Sequence, residues 1–163
     1  IGHEVLVTPI QLVSAISAIA NDGVYMKPFV VKAVKDNKNQ VIQSFEPSVI
    51  ERVISVDTAA RMKAILTGVV ENGTGKRAII PGVKVAGKTG TAQKVINGQY
   101  SHSKYYASFI GFAPGDDPKV AVVVSFDEPH PSYFGGTVAA PVFQEIVSDT
   151  LKYLQATENG ESH

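Results

Sequence analysis

From Thr8 to Gly23 the chain encodes a helix with almost no polar face. Thr8, Pro9 and Gln11 form a helix-start signature. It combines a hydroxyl cap, a proline at the first helical position where its missing N–H costs nothing, and a glutamine that reaches back to the cap. The helix is predicted over Pro9–Asn21, and Gly23 ends it. Leu12, Val13, Ala15, Ile16, Ala18, Ile19 and Ala20 make it apolar nearly all round. Such a helix has to be covered on every side, so the chain is expected to form part of a layered core.

The other segments supply the layers. Phe29–Lys35 and Val41–Phe45 flank the turn-rich Asp36-Asn37-Lys38-Asn39 and predict a peripheral hairpin. A helix is expected from Asp57 to Glu71 with Ala60, Ala64, Ile65 and Val69 inward, stopped by Asn72-Gly73-Thr74-Gly75. Strands over Val83–Lys94, Tyr105–Phe112 and Lys119–Phe126 are separated by Asn97-Gly98 and Pro114-Gly115-Asp116-Asp117-Pro118, which predicts an antiparallel meander. A last helix, capped by Thr137 and running to Leu154, carries Val142, Phe143, Ile146, Val147 and Leu151 at helical spacing. The fold class is therefore α+β, an antiparallel three-strand meander packed with helices, over residues 1–154, followed by a polar tail, 155–163.

The chemistry gathers at Lys88-Thr89-Gly90-Thr91, which follows the apolar run Val83–Gly87. A strand alternates its side chains, so Lys88 and Gly90 share one side and Thr89 and Thr91 the other. A cation, two hydroxyls and a glycine that keeps its side clear make an anion site against which a substrate can lie. Read alone, the same residues also describe a strand end with solvent-facing hydroxyls.

Lys88-Thr89-Gly90-Thr91-Ala92-Gln93 resembles the third active-site motif of the penicillin-binding transpeptidases. Gly2–Gln11 resembles the segment before a buried helix in the class B enzymes, and Phe109–Pro114 and Gly135–Phe143 resemble their last strands and final helix. The order along the chain also matches, and the likeness runs from Ile1 to Leu154, closer to the division-type than the elongation-type branch. The resemblance implies the C-terminal half of a serine β-lactamase-like transpeptidase fold. In that setting Lys88 places positive charge near the nucleophile. Thr89, Gly90 and Thr91 bind the substrate, the two hydroxyls holding the terminal carboxylate of a D-Ala-D-Ala stem peptide or of a β-lactam. The Thr91 backbone N–H is an oxyanion donor. The resemblance also implies an extracytoplasmic site of action, an anchoring N-terminal helix outside this sequence, and division or elongation proteins as partners.

The family's nucleophile motif, S-x-x-K, and its S-x-N motif precede the K-T-G strand, and neither lies upstream here. The single S-x-x-K match, Ser101-His102-Ser103-Lys104, comes after that strand in a polar stretch that offers no adjacent base. The chain alone is therefore expected to be inactive and to be the substrate-binding half of a split site. Its apolar helix is expected to lose neighbours and to expose more than the ~600 Å² usual for a monomer, which favours self-association. The alternatives are a β-lactam-binding sensor without turnover and a partner-docking module.

Composition excludes some other classes. Fifteen basic and fifteen acidic residues, with no basic cluster, argue against a nucleic-acid partner. Without cysteine there are no disulfides or thiolate metal sites. His3, His102, His130 and His163 show no metal-ligand spacing, and no cofactor is expected. Asp127-Glu128 reads as a solvated turn before Pro129 rather than an acid–base pair. Tyr133-Phe134-Gly135-Gly136 reads either as a mobile lip or as packing, and Tyr100, Tyr105 and Tyr106 either as substrate contacts or as strand-edge packing.

Overall fold

The computed structural model describes residues 5–158. His3, His163 and the start of the Gly2–Gln11 segment lie outside the described residues. In chain order the elements are α1 (Pro9–Ala20), β1 (Val24–Met26), β2 (Ala33–Lys35), β3 (Val41–Ser44), β4 (Val49–Arg52), α2 (Val56–Asn72), a 3-10 turn (Lys76–Ala78), β5 (Ala86–Ile96), β6 (Gln99–Ala113), β7 (Val120–Asp127) and α3 (Gly135–Glu158). β5, β6 and β7 form the expected antiparallel meander, and the ribbons β1–β4 and β2–β3 stand as separate two-stranded pairs.

Strand alternation sorts the meander into two faces. On one, Phe109 of β6 packs on Phe143 of α3 with ring centroids 4.7 Å apart, in a cluster that includes Val85, Val124, Ala139, Val147 and, from the end of α2, Val70. On the other, Ala86 and Phe112 meet Ile16 of α1 and Leu66 of α2. The sheet is thus a central layer, with α3 behind it and α1 and α2 in front. Gly87 is required where β5 passes the Phe109 ring, because a Cβ there would lie 2.7 Å from ring carbons.

Local chemistry sets the helix ends. Thr8 and Gln11 form the anticipated capping box, with Thr8 N–H donating to Gln11 Oε1 at 2.8 Å. α3 begins at Gly135 and not at Thr137, because its cap comes from across the fold: Gly135 N–H donates to Thr91 Oγ1 of β5 at 3.1 Å. Pro141, inside α3, has no N–H for the carbonyl of Thr137, and Arg77 Nη1 donates to that carbonyl at 3.4 Å instead. α3 runs to Glu158, past the expected end at Leu154.

Three other expectations change. The buried stripe of α2 is Ala59, Leu66 and Val70, whereas Ala60, Ala64 and Ile65 are exposed. The small, helix-tolerant alanines gave no vector in the sequence, and the sheet below selects the other side. α1 buries Ser14, Ile16 and Ala18 and half-buries most of its other apolar residues, but its first turn is exposed, with Ile10 at 53%, as is Ala15, so the helix is not covered on every side here. The hairpin of β5 and β6 continues to a tight turn at Asn97-Gly98, both residues at positive φ, so β6 begins at Gln99 and not Tyr105, while β5 is shifted to Ala86–Ile96.

Candidate active site

Pairing places Lys88 opposite Ile110, Thr89 opposite Phe109, Gly90 opposite Ser108 and Thr91 opposite Ala107. Thr89 and Thr91 therefore share the face that carries Phe109 and looks toward α3. Lys88 and Gly90 share the face of Ser108, beyond the part of the sheet that α1 and α2 cover. Lys88 curls over the strand, and its Nζ donates to Thr89 O at 2.9 Å and Thr89 Oγ1 at 3.1 Å. The ammonium and the Thr89 hydroxyl thus form one polar unit, even though their Cα–Cβ bonds point to opposite faces.

Thr89 Oγ1 also lies 2.9 Å from Thr74 Oγ1. Thr91 Oγ1 accepts from Gly135 N–H, which leaves the Thr91 hydroxyl proton available to an anion. The N–H groups of Thr137 and Val138, further into the first turn of α3, are already paired, both donating to Phe134 O at 2.8 and 3.0 Å. Gly135 is needed for that approach: a Cβ there would stand 2.2 Å from Ser108 O and 2.3 Å from Gly90 O. Close packing thus accounts for a glycine at this position.

The aromatic residues next to it form a row. Tyr105 stacks on Tyr133 at 4.2 Å and 12°, and Tyr133 meets Phe134 at 4.5 Å. Packing therefore accounts for Tyr105 and Tyr133, while Phe134 remains 54% exposed at the rim. Tyr106 carries Lys94 Nζ 4.9 Å from its ring centroid.

Asp127 and Glu128 sit at a solvent-facing turn, as anticipated, and are ion-paired there. Lys94 Nζ reaches Asp127 Oδ1 and Glu128 Oε1 at 2.7 Å each, and Lys104 Nζ lies 3.2 Å from Glu128 Oε2. Hydrogen bonds from Lys94 and then Lys104 hold the Glu128 carboxyl below the usual carboxylate range. The hydrogen bonds that Lys94 donates to Asp127 and Glu128 push its own ammonium up. A depressed carboxyl pinned by two ammonium groups is a poor general base.

Ser101 is occupied as well. Its Oγ accepts from Ser103 N–H at 3.2 Å and Lys104 N–H at 3.1 Å, in a stretch of β6 that bulges away from β5. The hydroxyl closes a local turn and has no base beside it. Among the described residues no group of His, Cys, Asp and Glu gathers that could hold a metal ion.

Three residues were not singled out from sequence as parts of this corner: Thr74, Arg77 and Ser108. Thr74 lay within a helix-stop signal, where glycines on both sides drew attention to the turn and away from the hydroxyl.

Comparison with known proteins agrees with this geometry. Residues 1–148 match the penicillin binding protein transpeptidase domain. Stage V sporulation protein D of Bacillus subtilis is 43% identical over 155 residues, covering 94% of this chain and 24% of that protein. The crystal structure of penicillin binding protein 3 of Mycobacterium tuberculosis complexed with aztreonam superimposes with a TM-score of 0.82 at 33% identity, over 91% of this chain and 36% of that one. The D,D-transpeptidase domain of a peptidoglycan glycosyltransferase from Eggerthella lenta gives 0.79 at 34% identity, over 90% and 32%. The chain thus spans about a quarter to a third of these relatives. With the K-T-G strand, its glycine-lined contact with α3 and the matching fold in place, the chain belongs to the transpeptidase domain family of class B penicillin-binding proteins.

Proposed function

We propose that this chain is the substrate-binding half of a serine D,D-transpeptidase that cross-links peptidoglycan, with the nucleophile supplied by residues outside this sequence. The observation that carries the proposal is the corner where Lys88 Nζ, Thr89 Oγ1 and Thr91 Oγ1 meet the first turn of α3. Thr89 and Thr91 donate to the terminal carboxylate of a D-Ala-D-Ala stem peptide. Gly90 does not keep its side clear for the peptide as expected, because a Cβ there would stand 2.3 Å from Ser108 Oγ, and its lack of a side chain serves the packing of β5 on β6. The Thr91 N–H is one donor to the oxyanion formed when the serine hydroxyl attacks the carbonyl between the two D-alanines. Breakage of that C–N bond releases the terminal D-alanine and leaves an ester. Lys88 supplies positive charge that favours both the carboxylate and the developing oxyanion. A β-lactam presents a carboxylate and a strained amide to the same groups. The domain part extends to the end of α3 at Glu158 and not to Leu154, and the enzyme works at the extracytoplasmic face of the membrane, in the division branch. Among the described residues no helix is long and apolar enough to cross a membrane.

Intact-mass spectrometry with benzylpenicillin tests this reading. The expected result is no adduct on this chain and one covalent adduct on a longer protein that includes the upstream half. An adduct on Ser101, or none on the longer protein, would refute it.

A further inference from the structure

A hydroxyl has a single proton, and that limits what Thr89 can do. Its oxygen already accepts from Lys88 Nζ at 3.1 Å, a bond with fixed direction because an ammonium only donates. Its second contact is Thr74 Oγ1 at 2.9 Å, where either oxygen could supply the proton. If Thr89 spends its proton on Thr74, none remains for an anion. If Thr74 donates, Thr89 accepts from both neighbours and its O–H is directed outward.

We propose that Thr74 is a positioning residue for the substrate carboxylate: its hydroxyl donates to Thr89 Oγ1, so that the Thr89 proton is presented to the anion. This rests on the reading of Thr89 as a carboxylate donor. The backbone fixes Thr74 for the task. Gly73 N–H and Gly75 N–H both donate to Val69 O at 3.1 Å, which folds the end of α2 back under the loop. Thr74 O packs against the other side of the corner, 2.8 Å from where a Cβ on Gly136 would stand. Thr74 is thereby wedged between the end of α2 and the start of α3, with its hydroxyl beside β5. A bound carboxylate selects the donating orientation, because only that one completes a run of donors from Lys88 and Thr74 through Thr89 to the anion. Runs of this kind polarise each member in the same direction.

The transpeptidase that carries this chain together with its serine-bearing half is the protein to test. Second-order acylation rates are measured with benzylpenicillin and with its methyl ester, which lacks the negative carboxylate. Thr74→Val is expected to slow acylation by benzylpenicillin about five- to tenfold, the loss of one hydrogen bond, and to leave the ester rate unchanged. Thr74→Ser is expected to restore the rate to within about twofold, since it keeps the hydroxyl. In the background of Thr89→Val, Thr74→Val is expected to add no further loss, because the two act as one unit. Equal slowing of acid and ester by Thr74→Val, or no slowing of either, overturns the relay while Thr89→Val still slows benzylpenicillin. A Thr89→Val enzyme that acylates at the wild-type rate overturns the carboxylate reading itself, and the relay with it.

Discussion

The two halves of the molecule use similar residues to different ends. In the meander with α3, Phe109, Phe112, Phe143 and Val147 are wholly buried. In the ribbons between α1 and α2, equally apolar side chains face outward, with Val30 97% and Ile42 68% exposed and every residue of β3 and β4 exposed. The difference lies in pairing and not in hydropathy. β6 has a strand on each side and a helical layer on each face, whereas β2 and β3 have only each other. An isolated two-stranded pair has no face to bury. Apolar content therefore marks what a segment could cover, and the number of neighbours decides whether it does. The K-T-G corner sits in the well-packed half, as a precise anion site requires: Thr89 lies opposite the immobile Phe109, and Thr91 is tied to α3.

Substitutions can break this contrast, and the largest effects belong to the packed half. Phe143→Ala is expected to cost ~3–5 kcal/mol, whereas Ile42→Ala is expected to stay within ~0.5 kcal/mol. Urea unfolding of both variants checks this, and equal losses would erase the distinction between the halves. Gly135→Ala comes next. Its methyl would meet two backbone carbonyls, so a cost of ~2–3 kcal/mol with loss of β-lactam acylation is expected from the same unfolding curves and from a labelling assay.

A smaller effect concerns the ionic clamp beyond the site. Glu128 is depressed in the folded chain, so its contribution is fully present above its unfolded value of ~4.3 and is lost as pH falls through the lower folded value. Asp22, lowered by its hydrogen bond from Lys63, has the same sign. Glu128→Gln is expected to flatten the fall of stability below about pH 4, followed by denaturation midpoints across pH. An unchanged acid slope would show that Lys94 and Lys104 do not hold Glu128 in solution. The smallest expected signal is association of this chain through the first turn of α1 and the segment before it, where Ile10 and Leu6 are exposed. Sedimentation giving a stable monomer that binds no hydrophobic dye would count against it.

How much was legible follows from the same contrast. The meander, the capping box at Thr8 and the opposite-face placement of Lys88 and Thr89 were readable because each depends on local alternation or local hydrogen bonding. The β1–β4 pair was not, although Val49-Ile50-Glu51-Arg52 offered a β-rich run, because Val24-Tyr25-Met26 is too short to signal a partner so far along the chain. The capping of α3 by Thr91 and the Thr74–Thr89 contact join residues distant in sequence, and no local pattern encodes them. Asp127-Glu128 was readable as a solvent-facing turn, but its pairing with Lys94 was not, since Lys94 arrives from another strand.

The most direct measurement is a crystal structure of the serine-bearing enzyme acylated by benzylpenicillin. The expected result places the antibiotic carboxylate within hydrogen-bonding distance, ~2.6–3.2 Å, of both Thr89 Oγ1 and Thr91 Oγ1. A carboxylate bound away from both hydroxyls would contradict the assignment of this strand as the substrate-binding element.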